Sequence, residues 1–171
     1  MHFHRSYFKK IGRFFTLKRC FLIIFLGVIC IWFVHWKRNL EVQTVIGKTI
    51  EGFETADIVL ATAYISEEYH DDYGYVRADI IDIVKKIFKE FKTINITIED
   101  RRIEFEAQSV TVEIRFKAVA TYGPQRGYIV GSPMDSAEIT IFISKEDSGW
   151  RIQKASKLRN TPYHRDQISN K

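Results

Sequence analysis

The chain has 171 residues, room for one domain of ordinary size and a short appendage. With 46% hydrophobic and 27% charged residues it is globular rather than disordered. Its net charge of +5 does not mark a nucleic-acid binder. Eight Lys/Arg and no Asp/Glu occur up to Arg38, leaving 18 basic and 21 acidic residues, a net of −3, beyond it.

Residues 1–19 form a basic tail, and residues 20–37 read as a transmembrane helix. Fifteen apolar residues run from Cys20 to Val34, with Gly27 the one small break. His35 and Trp36 extend the run to seventeen residues. That is about 25 Å of helix, at the short end of the spanning range. Trp32 and Trp36, beside Lys37 and Arg38, occupy interfacial positions. A cleaved signal peptide has the same basic-then-apolar order, but here Trp-His-Trp-Lys-Arg follows, without a small-x-small cleavage site. Cys30 follows the bulky Ile29, which does not fit a lipoprotein signal. Six Lys/Arg precede the segment and two follow it closely. This bias places the N-terminus in the cytoplasm and the rest in the periplasm or an equivalent extracytoplasmic compartment. The lipid bilayer is therefore an expected partner through residues 20–36, in the inner membrane. Cys20 and Cys30 both lie in this segment, so the remainder has no disulfide, thiol nucleophile or zinc-thiolate site.

After a linker at 38–43, residues 44–157 read as one domain. Ile46, Ile50, Phe53, Leu60 and Tyr64 recur at helical spacing, widened by Ala56, Val59 and Ala63, and predict one amphipathic helix. Asp57 falls inside its apolar stripe. Ser66 to Gly74 predicts a short turn of helix ending at a glycine. A second long helix is expected from Val76 to Phe91, with Ile80, Ile81, Val84, Ile87, Phe88 and Phe91 buried. The period then changes to two. Ile94, Ile96 and Ile98 alternate with polar residues, Asp100-Arg101-Arg102 interrupts as a turn or bulge, and Ile103, Phe105 and Ala107 resume. Val110 to Ala120 forms a long second run, and Tyr122 to Ser136 a Gly/Pro-rich connection. Ala137, Ile139, Ile141 and Ile143 make the next strand, Glu146 to Gly149 a hairpin turn, and Trp150 and Ile152 begin a last strand. Residues 158–171 read as a flexible polar tail. The fold class is α+β: an N-terminal transmembrane helix, then a cone-shaped domain of helices packed on a curved antiparallel sheet.

Asp57 is the first candidate site residue. A carboxylate inside such a cone is desolvated, its pKa rises, and it becomes a useful base. The alternative is that it accepts hydrogen bonds from nearby backbone N–H groups or a tyrosine and fixes the helix against the sheet. Tyr64 lies seven residues later on the same stripe and shares the cavity if Asp57 faces it. Tyr69 opens the cluster Tyr69-His70-Asp71-Asp72-Tyr73 and joins Asp57 and Tyr64 as a candidate ligand-binding residue. No metal site is expected there, because adjacent residues rarely point at one ion and no second His or Cys completes a shell. The sequence has no GxSxG, phosphate-cradling glycine loop or His-x-x-x-His helix, and no cofactor is expected.

The order of elements resembles the nuclear transport factor 2-like superfamily, in particular small bacterial members. The resemblance rests on Glu54 and Ala56-Asp57, Ile65-Ser66, Tyr69-His70-Asp71, Gly74 and Gly149-Trp150-Arg151-Ile152, and covers about residues 44–157. It implies a sheet wrapped around the N-terminal helix, and either a noncatalytic binding or assembly role or a cavity enzyme. Isomerases of that superfamily combine a proton-moving carboxylate with a tyrosine that stabilises an oxyanion, roles for which Asp57 and Tyr64 are the candidates here. The expected inward face, Val110 to Ala120, carries no acid, which favours the noncatalytic role. The resemblance also implies a homodimer or a protein partner through the sheet.

Overall fold

The structure, a computed structural model, describes the backbone of residues 5–159 and the side chains of residues 23–156. It contains α1 (Arg5–Glu54), α2 (Ile58–Thr62), α3 (Arg77–Glu90), β1 (Thr93–Phe105), β2 (Ser109–Tyr122), β3 (Gln125–Val130), β4 (Ala137–Glu146) and β5 (Gly149–Arg159). Helices precede an antiparallel five-stranded sheet, so the class is α+β. Two compact units, Met1–Glu41 and Val42–Lys171, divide within α1. Residues 38–43, expected as a linker, are helical. The polar tail expected at 158–171 lies mostly outside the described residues.

In the first unit every described side chain from Ile23 to Lys37 is exposed. Trp32 stacks on Trp36 with ring centroids 5.7 Å apart, and Phe33 meets Trp36 edge-on. The helix from Ile23 to Glu54 is long and apolar enough to cross a membrane, and its apolar window is unburied. By length and composition it is a candidate span.

The second unit begins with Val42, Val45 and Ile46, all buried at helical spacing. The single helix expected through Tyr64 is instead two. α1 ends in a Schellman motif: Ala56 N–H reaches Phe53 O at 3.3 Å, and Asp57 N–H reaches Gly52 O at 2.9 Å. Ala56 adopts the left-handed conformation, φ 53°, where glycine is usual. Asp57 then starts α2, its Oδ1 accepting from Val59 N–H at 2.9 Å and Leu60 N–H at 3.0 Å. The residue that broke the apolar stripe is the N-cap of a new helix. Ala56→Gly is expected to raise stability by about 1 kcal/mol by relieving the left-handed strain, read as a higher urea midpoint.

The turn of helix expected at Ser66–Gly74 is absent. Ser66 Oγ accepts from Glu68 N–H, and Asp71 Oδ1 accepts from Tyr73 and Tyr75 N–H, bonds that compete with a helical ladder. The backbone lies along β5 instead: Ile152 N–H donates to Tyr64 O, Ser66 N–H to Ile152 O and His70 N–H to Gln153 O. The segment thereby covers the edge of β5 that β4 leaves free.

β2 is the central strand. One side pairs along its length with β1; the other pairs with β4 from Ser109 to Phe116 and with β3 from Ala118 to Tyr122. β3 lies within the expected connection between Tyr122 and Ser136. The interruption expected near Asp100 is a bulge, with Glu99 the extra residue. Val110, Val112, Ile114, Ala118 and Ala120 are buried, as the alternation predicts. Val110, Val112 and Ile114 pack with Ile143, Trp150, Ile152, Ile65, Tyr69 and the buried stripe of α1. A second cluster joins Phe91, Ile94 and Ala120 to Phe53 and Phe88, whose rings meet edge-on at 5.7 Å. Each such aliphatic or aromatic side chain contributes about 1.5–3 kcal/mol when fully buried. On the opposite face Asp100, Arg115 and Glu138 stand in register across β1, β2 and β4, and Arg102 stands opposite Glu113. Alternating charge makes that face compatible with water.

Candidate functional site

Asp57, Tyr64 and Tyr69 come from three local structures. Asp57 is exposed, and its carboxylate is turned onto the N-terminus of α2. It is not the desolvated base that a place on a continuous buried stripe implies. Asp57→Ala is expected to cost about 1 kcal/mol through loss of the cap, with Asp57→Asn close to wild type, both read by urea denaturation. Tyr64 is half-buried where α2 gives way to the segment along β5, and the Arg151 guanidinium lies 5.7 Å from its ring centroid. That contact is of cation–π type and leaves the ring at the margin of the main core.

Tyr69 lies deeper, at 5% exposure within the main core. It is there because the segment along β5 turns at Ser66, where Tyr69 N–H closes on Ser66 O. Burial pushes its hydroxyl up to about 12. The Asp71 carboxylate beside it adds to the shift by charge and by accepting its hydrogen bond, while the Ala155 backbone N–H opposes it. Asp71 also holds the backbone of Tyr73 and Tyr75, so one carboxylate links a buried phenol to the loop before α3. His70 is exposed, with Nδ1 against Glu68 O, and Asp72 pairs with Lys154 at 2.6 Å. Among the described residues no group of three His, Cys, Asp or Glu side chains could hold a metal ion. The structure thus brings Tyr64 and Tyr69 to one core and places Asp57 on a different task.

A second polar cluster was not singled out from the sequence. At the β1 bulge, Glu99 accepts from Lys117 Nζ at 2.8 Å and from Ser136 Oγ. Lys117 Nζ also reaches Pro133 O at 3.2 Å. The Lys117 and Ser136 hydrogen bonds hold the Glu99 carboxyl below its usual range. Gly131, at φ 73°, starts the loop that brings Ser136 across, and a Cβ there would meet Asp135 O at 3.0 Å. With both oxygens of Glu99 occupied, the cluster ties the 131–136 loop to the sheet. The Gly131-Ser-Pro133 turn was the available signal, but only the bulge places Glu99 under it.

No family model matches the sequence, and no curated protein matches it. Solved structures do. A proposed scytalone dehydratase from Novosphingobium aromaticivorans matches with a TM-score of 0.61 at 11% identity, covering 74% of this chain and 93% of that one. A proposed dehydratase of the nuclear transport factor 2-like family from Streptomyces avermitilis matches with a TM-score of 0.57 at 10% identity, covering 68% and 92%. The domain has the nuclear transport factor 2-like fold. Another neighbour with this fold is described as cystatin-like. Bd1075 of Bdellovibrio bacteriovorus matches with a TM-score of 0.58 at 12% identity, over 74% of this chain. The chain spans 42% of the length of that protein. At these identities the likeness speaks to fold alone.

Proposed function

We propose that the chain is a single-pass protein of the inner membrane whose nuclear transport factor 2-like domain works outside the cytoplasm as a noncatalytic binding or assembly module. One observation carries the noncatalytic part: among the described residues no Asp, Glu, His, Lys or Arg is buried. Proton transfer near neutral pH on a substrate held between helices and sheet needs such a group there, since the buried Tyr69 phenol, held at about 12, keeps its proton. The exposed apolar window between Ile23 and Trp36 supports the anchor, and the basic tail supports a cytoplasmic N-terminus. Self-association or a protein partner would engage the sheet.

The neighbours described as dehydratases favour a second reading, a cavity binder of small molecules or an isomerase- or dehydratase-like enzyme. In that reading the buried Tyr69 hydroxyl and Tyr64 would meet the ligand, and Asp57 would act only after leaving its cap.

Two measurements on the full chain in bacterial cells test the proposal. Alkaline phosphatase fused to the C-terminus is expected to be active, with the chain retained in carbonate-washed membranes. Crosslinking in intact cells is expected to give a discrete larger species. An inactive reporter or release into the wash would overturn the anchor, and a monomer at every crosslinker dose would overturn assembly.

A further inference from the structure

We infer that residues 5–19 are a docking surface for anionic phospholipid headgroups, an inference that rests on the membrane anchor proposed above. The backbone here is helical, as part of α1. In that register Tyr7, Phe8, Ile11, Phe14 and Phe15 fall at i, i+1, i+4, i+7 and i+8, which is one face of a helix. Arg5, Lys9, Lys10 and Arg13 are placed away from that face; Lys18, at i+4 from Phe14, falls on it at the end that adjoins the apolar run, with Arg19 beside it. No acidic residue occurs before Glu41, so the segment brings six positive charges and no compensating negative one. Aromatic and cationic residues side by side suit the boundary between headgroups and acyl chains. A polybasic run beside a span is drawn to anionic lipid within a Debye length, and the attraction falls with salt. Nucleic acid is the other polyanion within reach of a cytoplasmic tail. Four aromatic residues on one face favour the surface that has apolar depth beneath its charges.

The test uses the full chain reconstituted into vesicles of phosphatidylcholine alone, or with about a third phosphatidylglycerol, a surface negative enough to attract basic residues. Trypsin cleavage at Lys9, Lys10 and Arg13 is followed by mass spectrometry and normalised to the tail-out fraction, the chains whose Lys85 and Lys86 on exposed α3 stay uncut until detergent opens the vesicles. Cleavage of the tail is expected to be about tenfold slower on the anionic vesicles at low salt and to recover at high salt. Replacing Lys9, Lys10 and Arg13 by Gln is expected to abolish the lipid dependence, read in both proteins at Arg5, a site the variant keeps, while carbonate-resistant retention persists. Equal rates on both vesicles, or protection that salt does not reverse, would overturn the inference and leave the anchor standing. Protection by an added oligonucleotide but not by anionic vesicles would assign the tail to nucleic acid. A chain released by carbonate would remove the anchor and this inference together.

Discussion

Gly52→Ala is expected to destabilise the domain by about 3 kcal/mol, a drop of roughly 10 °C in Tm. Gly52 is buried on the last turns of α1, where the backbone of α2 crosses it. A Cβ there would stand 2.2 Å from Ala61 N and 2.6 Å from Ala61 Cα. Both are backbone atoms, and α2 is pinned by its Asp57 cap and by the Schellman bond onto Gly52 O itself. Two effects oppose each other. Alanine gains about 1 kcal/mol over glycine within a helix, but a contact this short forces the helices apart and opens the packing on both sides. The clash wins. Gly47 supplies the control, because a Cβ there meets nothing within 4 Å. Gly47→Ala leaves only the propensity gain and is expected to stabilise by about 1 kcal/mol. Thermal melts of the two full-length variants in the same detergent compare them directly. A Gly52→Ala melt within a few degrees of wild type would show that α2 does not pack against α1 at this glycine.

The break between α1 and α2 leaves little mark on the hydrophobic pattern. Helical spacing from Val42 to Tyr64 is nearly unbroken, because the residues after the turn resume the stripe almost in phase. The break is encoded at Ala56, whose left-handed conformation carries no side-chain signal, and at Asp57, whose spacing ahead of Leu60 is that of an N-cap. A carboxylate inside an apolar stripe suits either a base or a hydrogen-bond acceptor, and in the structure Asp57 accepts from the first turn of α2. β2 was legible since its alternation runs the length of the strand and its buried face packs on α1. β3 was not. Gln125, Arg126 and Gly127 have little strand preference, and the segment becomes a strand by pairing with the end of β2 that β4 leaves open. Tyr69 illustrates a different limit. Its place beside Asp71 was visible, but its burial follows from the segment lying along β5, a long-range contact that no local pattern reports.

Tyr69 makes the domain sensitive to alkaline pH in a way that a Phe variant will not share. Its hydroxyl is held at about 12 against 10.0 for a free tyrosine, chiefly by burial, with Asp71 adding to the shift. The folded state therefore favours the protonated phenol. Its contribution is intact below the free-tyrosine value and is lost as pH rises through the folded one, since only the unfolded chain releases the proton easily. Across that window the loss is on the order of 2 kcal/mol. Near neutral pH, Tyr69→Phe removes the hydroxyl beside the Asp71 carboxylate and costs about 1 kcal/mol, no more, because Asp71 keeps its bonds from Tyr73 and Tyr75 N–H. The order of stability should accordingly reverse: wild type above Tyr69→Phe at neutral pH, and Tyr69→Phe level with or above wild type as pH approaches the folded value. Urea midpoints of both full-length proteins across the alkaline range supply the comparison, and titration of the other tyrosines and lysines cancels between them. Parallel curves would mean that the Tyr69 hydroxyl reaches water in the folded state, and the core would then have an opening on the side of β5.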